Sequence, residues 1–272
     1  MITIKTLVQQ AKDFGLALFD AEVLLAHTLQ QNRAYLHTWP DEIISGDQVT
    51  QYQRYLKGRI EGEPIAYIIG HKEFWSLPFI VTPDTLIPRE DTESWIQWLL
   101  DRYSNESVQR VLDLGTGSGA IALALAHERP AWLICAVDSS QEALKIATQN
   151  AINLELSIDC IQSDWFSALS LRVFDIIVAN PPYIAEEEPH WQIGDLRFEP
   201  KTALVSADHG LSDLKHIIQQ APLYLSANGL LLVEHGYQQG LAVQALFVTA
   251  GFHDVQTYCD YGNNPRWTVG FI

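Results

Sequence analysis

From about residue 90 onward, short apolar runs alternate with segments of helical period, and this alternation limits the fold more than any other feature of the chain. Val111-Leu112-Asp113-Leu114 is an apolar strand running into Gly115-Thr116-Gly117-Ser118-Gly119, with a helix through Ile121, Leu123, Ala124 and Leu125 after it. Trp132 to Val137 is a second strand ending at Asp138, followed by a helix over 141–152. Ile158 to Ile161 is a third, ending at Asp164-Trp165. Phe174 to Ala179 is a fourth, stopped by Asn180-Pro181-Pro182-Tyr183. A helix at about 211–226, the strand Leu230–Val233 and a helix at 238–250 follow. The two closing strands, near 254–259 and 266–272, have no helix between them and are expected to pair antiparallel. Such a pattern specifies an α/β fold, a doubly wound and mostly parallel sheet with right-handed crossovers.

In such sheets ligands bind outside the carboxyl ends of the strands. The first four strands end in Asp113 with the glycine loop, Asp138, Asp164-Trp165 and Asn180, so four unusual features share one edge. The glycines permit positive φ and close approach of backbone to ligand, although a tight strand-to-helix turn would use them too. Asp138 lies 19 residues beyond Gly119, where an acidic side chain can accept ribose hydroxyls. Asp164 and Trp165 offer hydrogen bonding and an aromatic face to an adenine; an ordinary strand end is the plainer alternative. The loop is GxGxG rather than the dinucleotide GxGxxG, which points away from NAD. S-adenosylmethionine carries adenosine without a pyrophosphate, and the loop amides would meet its amino-acid end.

Pro181 and Pro182 remove two backbone donors and fix two φ angles, so the chain leaves the fourth strand stiffly. The carboxamide of Asn180, the carbonyl of Pro181 and the ring of Tyr183 are thereby held in a fixed relation. Together they suit a planar group bearing an NH2, although a strand followed by a Pro-rich turn would look the same in isolation.

Residues 1–61 read as a small helical domain. Asp20 can cap a segment bearing Ala21, Leu24, Leu25 and Leu29 on one face, and Val49, Tyr52, Tyr55, Leu56 and Ile60 trace a second stripe with Asp47 near its start. Residues 62–86 read as a linker containing a β-hairpin, with Ile65–Ile69, Glu73–Trp75 and Pro78–Val81 as short strands. Residues 87–272 carry the alternating pattern. The helix at its start is expected to be capped by Asp91 or Thr92.

Seventeen Lys and Arg face 33 Asp and Glu, a net charge of −16, and no two cations are adjacent. That balance repels a phosphate backbone, so no direct nucleic-acid partner is expected. No apolar run reaches the ~18 residues of a membrane span, and Met1–Thr6 lacks the charged-then-apolar order of a leader, so no membrane association is expected. Cys135, Cys160 and Cys259 stand apart without a CxxC pair, as reduced core residues of a cytoplasmic protein would. The histidines show no metal-ligand spacing, so no metal is expected.

The Asp113–Gly119 loop with Asn180–Tyr183 resembles the class I S-adenosylmethionine-dependent methyltransferases that modify amino groups. Gly62–Tyr67, Glu73–Trp75, Ile87–Glu93 and Arg197–Pro200 are similar to the peptide chain release factor glutamine methyltransferases, the PrmC/HemK family. Glu90 stands where many relatives have proline. The resemblance implies a seven-stranded class I methyltransferase sheet and an N-terminal domain for substrate recognition. It further implies N5-methylation of the glutamine in the Gly-Gly-Gln motif of class 1 release factors, with a monomer as the expected state. On the same basis Gly115, Thr116, Gly117, Ser118, Gly119, Asp138, Trp165 and Asn180 contact the cofactor. Asn180, Pro181, Pro182 and Tyr183 hold the glutamine, with Asn180 and Pro181 catalytic and Arg89–Glu93 bordering the site. An adenine-N6 methyltransferase could use the same tetrapeptide, and a non-enzymatic adenosine binder is the third class.

Overall fold

The computed structural model describes residues 1–170 and 172–272, and the chain divides into two compact units, Met1–Gly70 and His71–Ile272. The first unit holds α1 (Ile4–Asp13), α2 (Leu18–Leu29), α3 (Arg33–Thr38), α4 (Gly46–Ile60) and α5 (Ile65–Ile69) around Leu7, Leu24, Leu25 and Tyr52. Its helix starts differ from those expected. α2 begins at Ala17 with no side-chain cap, and Asp20 lies in the first turn, paired with Arg59 at 2.7 Å. α4 begins at Ser45, which forms a reciprocal capping box with Gln48, so Asp47 is not the cap.

Ile65–Ile69 is a helix rather than the expected strand. Pro64 precedes it, Gly70 ends it at φ 78°, and Ile65, Ile68 and Ile69 turn the same face to the helical core. Three β-branched residues in five imitate a strand when read without that context. The 62–86 stretch is consequently divided between the two units rather than standing apart as a linker.

The second unit opens with the expected hairpin, β1 (His71–Phe74) antiparallel to β2 (Leu77–Ile80). Its two turn residues, Trp75 and Ser76, both have positive φ, 53° and 58°. This is the twist a two-residue hairpin needs, obtained here without glycine or asparagine. Hydrogen bonds hold the turn: the Trp75 amide donates to Glu93 Oε1 at 2.7 Å and its indole to Glu128 Oε1 at 2.8 Å.

The main sheet has β3 (Arg110–Leu114), β4 (Leu133–Asp138), β5 (Asp159–Gln162) and β6 (Phe174–Ala179), then, beyond the two short paired strands β7 (Ile184–Ala185) and β8 (Val205–Ser206), β9 (Leu225–Glu234), β10 (His253–Cys259) and β11 (Pro265–Phe271). Its order is β10-β11-β9-β6-β3-β4-β5, with β11 antiparallel to both of its neighbours and the remaining pairs parallel. Alternate residues of the central strands feed opposite cores, as the period of two requires. Val111, Ile176, Val178 and Leu232 meet α6 (Glu90–Arg102), α7 (Ala120–Glu128) and the hairpin. Leu112, Ile177, Leu231 and Val233 meet the helices Ser212–Gln220 and Gly240–Thr249. α6 has Arg89 at its N-cap rather than Asp91 or Thr92, and Thr92 is buried instead. Glu90, Asp91 and Glu93 occupy its first turn, where negative charge meets the positive end of the helix dipole. No helix among the described residues is long and apolar enough to cross a membrane.

Asn150 on α8 (Gln141–Asn153) joins the hairpin to the glycine loop. It is fully buried, accepts from the Ile80 amide at 2.8 Å, and donates to the carbonyls of Ile80 at 3.0 Å and Ser118 at 2.8 Å. Phe74 and Phe79 of the same hairpin pack edge to face, ring centroids 6.1 Å apart, in the core they share with α6 and α7. Phe79→Ala should therefore destabilise the second unit by about 3–5 kcal/mol in denaturant unfolding. A loss below about 1 kcal/mol would mean the hairpin is an ornament on this core rather than part of it.

Candidate active site

Parallel register assembles the site. Leu114 of β3 pairs with Val137 of β4 on one side and Ala179 of β6 on the other. The next residue along each strand is Gly115, Asp138 and Asn180, so these three emerge together at one edge. Gly115, Gly117, Asp138, Asp164, Trp165 and Asn180 line a cavity of 330 Å³ there.

Gly115 and Gly117 have φ of 72° and 55°, a conformation that strains any residue with a Cβ. A Cβ on Gly115 would also stand 3.4 Å from the Trp165 ring. Thr116, Ser118 and Gly119 do not line this cavity. The Thr116 hydroxyl donates to Asp113 Oδ2 at 2.6 Å, the Ser118 side chain is buried, and Gly119 packs against Ala147 and Leu123. These three residues shape the loop from behind. Asp138 does the same from the front: Oδ2 accepts from the Gly117 amide and Oδ1 from the Ser140 amide, both at 2.9 Å. Even with the backbone donors of Gly117, Ser140 and Ser139, the carboxylate retains acceptor capacity for a ligand hydroxyl. Trp165 is itself left-handed, φ 47°, with its carbonyl held by the Ser163 hydroxyl at 2.8 Å. A bare loop, an acceptor for hydroxyls and an indole face form a set of groups that fits adenosine.

A second cavity of 890 Å³ shares Leu86, Asn180 and Ala203 with the first. Arg89, Tyr183, Glu187 and Arg266 are among its lining residues. Asn180 Nδ2 donates to Thr92 Oγ1 at 3.3 Å. Among the described residues none donates to Asn180 Oδ1 or to the Pro181 carbonyl, and Asn180 lines both cavities. Pro182 lines the first cavity and Tyr183 the second, while Pro181, between Asn180 and Pro182 in the chain, is buried and lines neither. Arg89 is ion-paired with the buried Glu199, which also accepts from the Ile87 amide at 3.0 Å. The Arg89–Glu93 segment and the Arg197–Pro200 segment thus meet at the rim of the site.

Sequence reasoning missed Thr92 as a contact of Asn180, and it missed Glu234, which accepts from Thr92 Oγ1 at 2.7 Å. The signal for Glu234 was present: it ends the apolar strand Leu230–Val233, as Asp138 ends its own. Nothing in the local pattern marks Arg266 or Ala203.

Burial governs the electrostatics. It pushes the fully buried Asp113 carboxyl up to about 7, against the pull of the Thr116 hydroxyl. It also raises Asp138, against the amides of Ser140 and Gly117, and Glu234, against Thr92 and Trp95. The Tyr183 hydroxyl is raised by burial and by the nearby Glu234 charge.

Residues 5–70 match the PrmC N-terminal domain model and residues 91–200 the methyltransferase small domain model. The chain is 49% identical over 264 residues to the release factor glutamine methyltransferase of Shewanella oneidensis, covering 97% of this chain and 92% of that one. It is 50% identical over 252 residues to the protein of the same name from Escherichia coli K12, covering 92% and 91%. Among solved structures, a methyltransferase from Pyrococcus furiosus shares the fold, with a TM-score of 0.56 at 14% identity, covering 82% of this chain and 98% of that one.

Because Asp113 has a raised folded pKa, its sign is fixed. Between about pH 4, where an unfolded aspartate ionises, and about 7, the folded protein keeps a proton that the unfolded chain has lost. The contribution is complete below that window and lost as pH rises through it. Thermal unfolding measured from pH 4 to 8 should show a stability decline in the unaltered chain that Asp113→Asn makes shallower. Parallel pH profiles would contradict a proton on Asp113.

Proposed function

The chain belongs to the release factor glutamine methyltransferase family, and from that premise we propose that it transfers a methyl group from S-adenosylmethionine to the N5 amide nitrogen of the glutamine in the Gly-Gly-Gln motif of class 1 release factors. The observation that carries this is the meeting of two cavities at Asn180, one with groups suited to adenosine and one with room for a protein side chain.

On the cofactor side, Gly115 and Gly117 keep the loop free of side chains, Asp138 accepts ribose hydroxyls and Trp165 offers its ring to the adenine. Thr116, Ser118 and Gly119 act through the shape of the loop. When bound, S-adenosylmethionine supplies the methyl as an electrophile, its bond to sulfur breaking as the bond to nitrogen forms.

The chain's own task is to make an amide nitrogen reactive. Its lone pair is delocalised into the carbonyl, which makes it a poor nucleophile. Asn180 Oδ1 and the Pro181 carbonyl each accept one amide hydrogen, and that double acceptance directs the lone pair out of the amide plane toward the cofactor side. Holding the amide there removes much of the entropic cost of the encounter. The same two fixed dipoles favour the positive charge that develops on nitrogen. A methylated, cationic amide is strongly acidic and gives one N–H proton to water without a dedicated base. Pro182 keeps the turn stiff, and Tyr183 forms a wall of the acceptor cavity.

A nucleobase also presents a planar NH2, but the net charge of −16 weighs against a polyphosphate substrate. A release factor substrate implies work in the cytoplasm, in keeping with three unpaired cysteines. All the groups named belong to one chain, so a monomer suffices. Methyl-labelled cofactor offered with a release factor, duplex DNA or RNA in separate reactions should label the release factor alone. Asn180→Ala should lower that transfer by about 10²-fold or more while cofactor binding persists. Label in either nucleic acid, or near-normal turnover by the variant, would count against this function.

A further inference from the structure

The hydrogen bonds behind Asn180 decide which end of its carboxamide meets the substrate. The oxygen and NH2 of an asparagine are almost the same shape, so packing alone does not choose between them. A chain of directed hydrogen bonds does. Glu234, buried at the end of β9, takes two donors on Oε2: the Thr92 hydroxyl at 2.7 Å and the Trp95 indole at 3.2 Å. The Trp95 indole can only donate, and an ionised Glu234 has no hydrogen to give back, so the Thr92 hydroxyl is the donor in its contact with this oxygen. The Tyr183 hydroxyl donates to the other oxygen at 3.4 Å. Thr92 has one hydroxyl hydrogen, and Glu234 consumes it. Only lone pairs remain toward Asn180, and the Asn180 group that meets them at 3.3 Å is therefore the NH2.

We propose that Thr92 and Glu234 are positioning residues that orient the Asn180 carboxamide, turning its oxygen toward the methyl-accepting amide. The proposal rests on the glutamine-methylating function above. With the Asn180 side chain turned over, NH2 would face NH2. The bond that aims the lone pair would be lost although every heavy atom of the site remained in place. Thr92 and Glu234 lie 142 residues apart in sequence, on α6 and β9, so the orientation of one amide depends on how the helix packs against the sheet.

Thr92→Val keeps the shape of the side chain and removes the hydroxyl. Single-turnover and steady-state methylation of a release factor should show kcat lowered about 10- to 100-fold. KM for the release factor and cofactor affinity should change by less than about threefold. Thr92→Ser restores the hydroxyl and should recover most of kcat. Should Thr92→Val fail to fold by circular dichroism, Thr92→Ala carries the same expectation. An unchanged kcat without the hydroxyl, a defect confined to KM, or a serine variant as slow as the valine variant would overturn the proposal while leaving the function intact. Absence of methylation by the unaltered chain would overturn both.

Discussion

Everything at this site depends on the parallel pairing of β3 with both β4 and β6. One residue, Leu114, is in register with Val137 and Ala179, and the chain beyond each strand is then obliged to emerge at the same edge. Parallel pairing requires crossovers, and α7 and α8 provide two of them, α7 starting from the glycine loop and α8 carrying Asn150. A slip of one residue in either pairing would move Asp138 or Asn180 out of the cavity and turn each strand's buried set to the wrong face. The same hydrogen-bond ladder that stabilises the sheet thus sets the distance between the cofactor groups and the acceptor clamp.

The site is built at a cost in stability. Asp113 and Glu234 are buried and Asp138 half-buried, in surroundings that disfavour their charged forms. Each is used structurally: Asp113 holds Thr116, Asp138 holds Gly117 and Ser140, and Glu234 holds Thr92 and Trp95. Left-handed backbone at Trp165 adds strain that neighbouring hydrogen bonds must overcome, a cost that Gly115 and Gly117 avoid at their own positive φ. A hydrophobic core alone would not retain these features, and their concentration at one sheet edge is what a preorganised polar site requires.

Much of this was legible in the residues. Strand ends read from apolar runs gave Asp113, Asp138 and Asn180 as neighbours, because a doubly wound sheet leaves little freedom in where such ends go. The antiparallel closing pair followed from the missing helix between the last two strands. Local chemistry misled in places where tertiary contacts decide. Ile65–Ile69 looked like a strand because β-branching was read without the helical core that its three isoleucines face. Asp20, Asp47 and Thr92 looked like caps, but Asp20 is used in an ion pair, Ser45 supplies the cap of α4, and Thr92 turns inward to Glu234. The Trp75-Ser76 turn carries none of the residues that usually mark positive φ, because two distant glutamates hold it. Thr92 and Glu234 could not be joined from sequence, since neither periodicity nor spacing links a helix start to a strand end so far along the chain.

The central claim is that the methyl goes to one amide nitrogen. Its most direct test is fragmentation mass spectrometry of a purified, unmodified release factor after incubation with this protein and S-adenosylmethionine. The expected result is the mass gain of one methyl group, confined to the side chain of the glutamine in Gly-Gly-Gln. A methyl group on another residue, or an unmodified release factor under conditions where the protein binds its cofactor, would contradict the account.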